Sequence, residues 1–242
     1  MKTEVVEEFS GFFEKWVCQL EEYLQLLLNV SDDHSHESVN HEALVGKVTA
    51  HYKDYYTAKW AAAHEDVLAF FSPVWFSPLE NAYLWITGWK PSMVFRLVDT
   101  VRVTRSPGAS LANMSEEQLK KIEVLRGKIR VEEEKVEGEM ERQQVAMADR
   151  RMVDLARLAS RIKGGDSAAS QVDGLVEGAL KGLLGGLERV MKMADCVRLK
   201  TLKGVLEVLS PRQCVDFLSA KSMLQIQLRK WGKKREKSSL KS

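Results

Sequence analysis

Proline is scarce in this chain, with five in 242 residues. The few prolines lie near element boundaries, which suits long helices better than a turn-rich β fold. Cysteine is scarcer still: Cys18, Cys196 and Cys214 are odd in number and far apart. With no CxxC pair, a disulfide framework is excluded and a reduced intracellular compartment is expected. Charge of one sign is also lacking, the formal net charge being +2, so any attraction to nucleic acid or membrane must come from a local patch. No apolar run approaches the ~18 residues of a membrane span. Met1 to Glu4, followed by Glu7 and Glu8, has neither the basic start nor the apolar stretch of a signal peptide. No fixed-period repeat is found, and no alternating β-branched run is long enough to demand a sheet. The expectation is a soluble, globular, all-α protein.

What is present is helical periodicity. Phe9, Phe12, Trp16, Leu20, Tyr23 and Leu27 share one face of a helix from about Val5 to Val30. Ser31 to Glu37 reads as a mobile loop, and a second long helix runs from about Glu42 to Phe71, stopped by Pro73. Ser77-Pro78-Leu79-Glu80 is a capping box with proline at the first helical position, opening a short helix that ends by Gly88. Helix resumes at Pro91 and Ser92 through about Val103, and Arg105 to Ser110 is the clearest linker. Ser115 with Gln118 caps a very long central helix expected over Glu116–Lys163, with Glu132, Glu133 and Glu134 on a solvated face. Gly164 to Ser167 closes it. Helices follow over Gln171–Asp195, Val197–Leu209 and, from the cap at Ser210-Pro211, through Trp231. The architecture expected is a single helical bundle of long antiparallel helices over residues 1–231. Residues 232–242 are expected to form a basic, mobile tail, with Leu224, Leu228 and Trp231 anchoring the last helix.

Chemistry is harder to find. No nucleophile elbow, phosphate-binding loop or dinucleotide fingerprint occurs. His34, Ser35 and His36 with His41 form the best metal candidate, but two imidazoles in a polar loop lack a second ligand pair. Adjacent carboxylates at 132–134 point ~100° apart on a helix and do not converge. Gly182, Gly185 and Gly186 sit inside an apolar pattern, which suggests close packing or a kink. Two features stand out. Nine aromatics lie between Tyr52 and Trp89; they suit a packed core, a cavity for an apolar small molecule or a partner groove. The C-terminal stretch from Arg229 carries seven basic residues against one Glu, a local charge of +6. It suits a solvated tail, nuclear import, or docking on an acidic partner such as calmodulin.

The aromatic block also resembles a known family. Asp66-Val67-Leu68, Pro73-Val74-Trp75, Ser77 to Ala82, Trp85-Ile86-Thr87-Gly88-Trp89-Lys90-Pro91-Ser92 and Phe95-Arg96-Leu97 are similar to the plant Delay of Germination domain. That domain is shared with the C-terminal half of TGA-type bZIP transcription factors. Phe13 to Trp16 with Gln19, Leu119 to Glu134, and Asp195 to Leu199 leading into Leu209-Ser210-Pro211 extend the likeness from Val5 to Trp231. The resemblance implies a non-enzymatic plant regulatory protein of nucleus and cytoplasm, acting in seed dormancy or maturation and abscisic-acid-linked signalling, or as a pollen-aperture factor. Implied partners are type 2C phosphatases and TGA-type factors, with homo-oligomers left open. Direct sequence-specific DNA binding is not expected, because no basic zipper precedes the domain. It implies Trp75, Pro78, Leu79, Glu80, Trp85, Gly88, Trp89 and Pro91 as the domain-signature core. Phe12, Trp16, Arg229, Lys230, Lys233, Lys234, Arg235 and Lys237 are the candidate partner-binding residues. In the family's dormancy regulator, haem is associated with histidines of the last helix; the matching positions here are Gln225 and Arg229, so no haem is expected. No catalytic or metal-binding residue is assigned.

Overall fold

The computed structural model describes residues 4–32, 38–161 and 167–239. It is an all-α bundle. Its helices are α1 (Glu4–Asp32), α2 (Ser38–Glu65), α3 (Leu68–Phe71), α4 (Pro78–Ala82), α5 (Met93–Thr104), α6 (Glu116–Ala146), α7 (Arg150–Arg161), α8 (Ser167–Val208) and α9 (Pro211–Ser239), with a 3₁₀ turn at Ser110–Asn113. His34 and His36 lie outside the described residues. No helix of the described residues is long and apolar enough to cross a membrane.

Helix α9 is the axis of the bundle. Residues 213–222 are buried without interruption, so this stretch is wrapped on all sides rather than along one stripe. Phe217, Leu218 and Val215 are each 0% exposed, and α9 packs against α1, α2, α4, α5 and the 3₁₀ turn. Polar groups in so deep a helix need partners. Asp216 accepts from Ser31 Oγ at 2.6 Å and from the Ser110 backbone N–H at 3.0 Å. Gly108 stands so close that a Cβ there would lie 2.1 Å from the Asp216 carboxylate. The two capping boxes at Ser115 and Ser210 interlock, since the Gln118 amide donates to Gln213 Oε1 at 2.7 Å and to Val208 O at 2.9 Å.

Several boundaries differ from the periodicity. The long helix expected over 116–163 breaks at 147–149 into α6 and α7. Val136 is its last fully buried apolar residue before the break, so beyond that point little packing holds the pattern straight. The longest helix is instead α8, 42 residues, which merges the two helices expected over 171–209. Gly186 lies against the end of the Gln143 side chain, whose Oε1 would be 2.0 Å from a Cβ there, whereas Gly182 and Gly185 face open space. The second helix ends at Glu65, and Asp66 Oδ1 accepts from the Leu68 N–H at 3.1 Å to start α3.

Glu133 leaves the solvated acidic face assigned to it. It is 4% exposed and accepts from the Ser92 backbone N–H at 2.6 Å. A carboxylate from α6 thus caps the positive N-terminal end of α5. Nor does the chain leave helix at Gly232, since α9 continues to Ser239. Gly232 packs against Ser77, whose Oγ would be 2.0 Å from a Cβ at that position. Trp231, expected to anchor the helix, is 56% exposed.

Truncating Phe217 to Ala should cost about 3–5 kcal/mol, because it opens a cavity in the most enclosed helix. Val131→Ala, on an exposed face of α6, should change stability by less than about 0.5 kcal/mol. Paired thermal and urea unfolding of the two variants checks the assignment of the bundle axis.

Candidate functional site

The aromatic block folds around one tight turn. Trp85 and Gly88 exchange backbone hydrogen bonds at 2.7 and 3.2 Å, and the two central residues, Ile86 and Thr87, have φ of 40° and 61°. Such a turn ordinarily takes Asn-Gly. β-branched residues in the left-handed region cost on the order of 1–3 kcal/mol each and persist only where the surroundings impose them.

Two buried cations impose the turn. Arg198 of α8 donates through Nη2 to the carbonyls of Trp85 and Ile86, the latter at 2.7 Å, and through Nε to Trp89 O at 2.7 Å. Lys59 of α2 donates to Thr87 O at 3.2 Å and to Thr87 Oγ1 at 2.9 Å. Both share one carboxylate, which leaves the cluster with a net charge of +1. Asp195 Oδ1 lies 2.9 Å from Lys59 Nζ and 2.5 Å from Arg198 Nη1, and Oδ2 accepts from Trp60 Nε1 at 3.0 Å. All three charged residues are at most 1% exposed. Burial pulls the Lys59 ammonium down to about 8, against the opposing pull of Asp195. Gly88 has no room for a side chain, since a Cβ would lie 2.8 Å from Arg198 Cζ.

Beside this cluster is a cavity of about 180 Å³, walled by rings that include Trp16, Tyr52, Tyr55, Phe76 and Trp89. Burial pushes the phenols of Tyr55 and Tyr56 well above the ordinary tyrosine range. They therefore stay neutral at physiological pH. A second ion cluster stands at the α4 side. Arg229 is 4% exposed; it pairs with Glu14 and Glu80 and donates to Trp75 O at 2.9 Å. Its guanidinium also covers the Phe13 ring at 4.9 Å. Glu80 in turn closes the cap with Ser77, accepting from the Ser77 N–H at 2.8 Å.

The signature residues are brought together here. Trp75, Glu80 and Pro91 are buried, Leu79, Trp85, Gly88 and Trp89 half-buried, and Pro78 exposed at the first turn of α4. Trp85 turns its Nε1 outward to Glu137 at 2.7 Å. The partner-binding candidates do not form one surface. Trp16 is 4% exposed and donates to His51 O at 2.9 Å, and Arg229 is held inside by its carboxylates, so neither presents a side chain outward. Phe12 is half-buried. Lys230, Lys233, Lys234, Arg235 and Lys237 are exposed, with Lys230 paired to Glu21 at 3.0 Å and Lys233 to Glu14 at 3.2 Å. Lys59, Asp195 and Arg198 are not among the residues that the sequence marks as a site, because Lys59 lies far along the chain from the other two and only the fold buries them together. No group of three metal-ligating side chains comes together among the described residues.

Comparison with known proteins bears out the family resemblance. The family model described as seed dormancy control matches residues 17–100. The chain is 53% identical to Protein DOG1-like 4 of Arabidopsis thaliana over 97% of this chain and 96% of that protein. The chain belongs to the Delay of Germination family. Protein RESPONSE TO ABA AND SALT 1 of the same plant is 28% identical over 92% of this chain and 94% of its own. Transcription factor TGA2 is 28% identical over 88% of this chain, which spans 59% of that factor.

Replacing Arg198 by Met should destabilise the protein by about 3–5 kcal/mol, since it strips one partner from a buried ion cluster and releases the strained turn. Gly88→Ala should be destabilising too, and in a double-mutant cycle with Arg198→Met its effect should shrink. Additive effects would show that the turn does not depend on the guanidinium.

Proposed function

We propose that this protein is a non-enzymatic plant regulator that acts by binding other proteins, in seed dormancy or maturation and abscisic-acid-linked signalling, in nucleus and cytoplasm. The family description and the relatives' names support the regulatory role, and none of the three relatives carries an enzyme's name. Kinship with TGA2 supports a nuclear setting. Type 2C phosphatases and TGA-type factors are the proposed partner classes, and direct sequence-specific DNA binding is not part of the reading.

The observation that carries the docking reading is the end of α9. Lys230, Lys234 and Lys237 follow at steps of four and three along one helical face, and Trp231, 56% exposed, flanks them. A basic helix with an exposed tryptophan suits an acidic partner with an apolar groove, of which calmodulin is the representative. Truncation after Lys233 keeps both the Gly232–Ser77 contact and the Lys233–Glu14 pair. It should leave the melting temperature within about 2 °C, because exposed charges contribute little to stability. The same truncation should weaken binding to calmodulin, or nuclear accumulation, at least tenfold. A truncated protein that keeps both binding and localisation would refute a docking role for Lys234, Arg235 and Lys237.

We also propose that the protein works without haem held on its last helix. Supporting this, Gln225 offers an amide, and Arg229 is committed to Glu14, Glu80 and Trp75 O. The purified chain should show no Soret band after desalting. A retained band abolished by substitutions within residues 221–231 would contradict the proposal.

A further inference from the structure

In the buried stretch of α9, the polar side chains find partners with one exception among the described residues. Gln213 and Asp216 bond to the caps and to Ser31 and Ser110. Ser219 donates to Val215 O at 2.8 Å, and Ser222 meets Tyr52 Oη at 3.4 Å. Lys221 does not follow them. It is 8% exposed, lines the aromatic cavity, and its ammonium makes no hydrogen bond or ion pair there. Nζ lies 3.7 Å from the centroid of the Tyr52 ring and 5.2 Å from that of Trp89. Those rings attract the charge but offer its three N–H donors no hydrogen-bond acceptor of the protein.

The charges around the cavity do not cancel. Its walls carry Lys59, Arg198 and Lys221 against Asp195 and Glu80. Asp195 is shared by Lys59 and Arg198, and Glu80 belongs to Arg229. Lys59, Arg198 and Asp195 together keep one positive charge, and Lys221 adds a second, with no carboxylate beside it among the described residues and aromatic rings in front of it. Gln225, one helical turn on, lines the same cavity and stands on the same face of α9. Its amide can supply a second donor. A volume of about 180 Å³ is close to the ~150 Å³ cavity that accommodates benzene, and it is short of what a long acyl chain fills.

We propose that this cavity binds a compact cyclic carboxylate of one or two rings. The ring packs against Tyr52, Tyr55 and Phe76, and the carboxylate pairs with Lys221. The inference is independent of docking at the end of α9, because the two involve different residues and fail separately.

The test is calorimetric titration of the full chain with 2-naphthoate, benzoate, palmitate and the neutral 2-naphthalenemethanol, with quenching of tryptophan fluorescence as a second readout. 2-Naphthoate should bind one to one and at least tenfold more tightly than the alcohol. Lys221→Met should bring the acid down to the affinity of the alcohol and leave the alcohol unchanged. If that variant does not fold, the comparison of acid with alcohol on the unaltered protein decides alone. Equal affinities of acid and alcohol, or acid binding indifferent to Lys221→Met, would make Lys221 a strut held by its rings and overturn the proposal. Binding of neither compound would remove the cavity as a ligand site, and tighter binding of palmitate than of 2-naphthoate would overturn the ligand class.

Discussion

One carboxylate holds the site together. Asp195 is 0% exposed and pairs with two cations that would otherwise be too costly to bury. Those cations then spend their remaining donors on the carbonyls and hydroxyl of residues 85–89. Through them α8 and α2 hold a turn that its own sequence disfavours, with Ile86 and Thr87 in left-handed backbone. The turn places Thr87, Gly88 and Trp89 on the cavity wall. Without Asp195, Lys59 and Arg198 would repel each other, and the turn would lose what forces it closed.

The axis of the bundle follows a different logic. Residues 213–222 of α9 are enclosed on all sides, and their polar members tie the axis to caps and loops that surround it. Asp216 binds Ser31 at the end of α1 and Ser110 in the 3₁₀ turn. Gln213 reaches the cap of α6 through Gln118. These bonds fix the axial register of α9, and with it the positions of Lys221 and Gln225 against the aromatic wall. At the far end of the same helix Gly232 rests on Ser77, Lys230 pairs with Glu21 and Lys233 with Glu14. One helix thus joins an interior that admits little change to an exposed basic surface.

Much of this was legible in the residues. The capping boxes at Ser77 and Ser115 form as their spacing requires, because a serine followed three residues later by Glu or Gln solves a local problem with local atoms. All-α class, the apolar face of α1 and the short α4 follow from periodicity in the same way. What misled was context. The acidic run read as solvated, yet Glu133 caps α5 from α6, a partner 41 positions away. Arg229 read as part of a basic surface, yet Glu14 and Glu80 draw it inside.

The sequence by itself determined the helical class, the local caps and the exposed positive charge at the C-terminal end, since these depend on neighbours within a turn or two. Only the tertiary structure decided which charges are buried. Lys59, Asp195 and Arg198 converge from α2 and α8, and Lys221 faces a ring wall built from α2 and the loop after α4. Burial of a charge is a property of everything packed around it, and a pattern along the chain records only the face on which each residue starts.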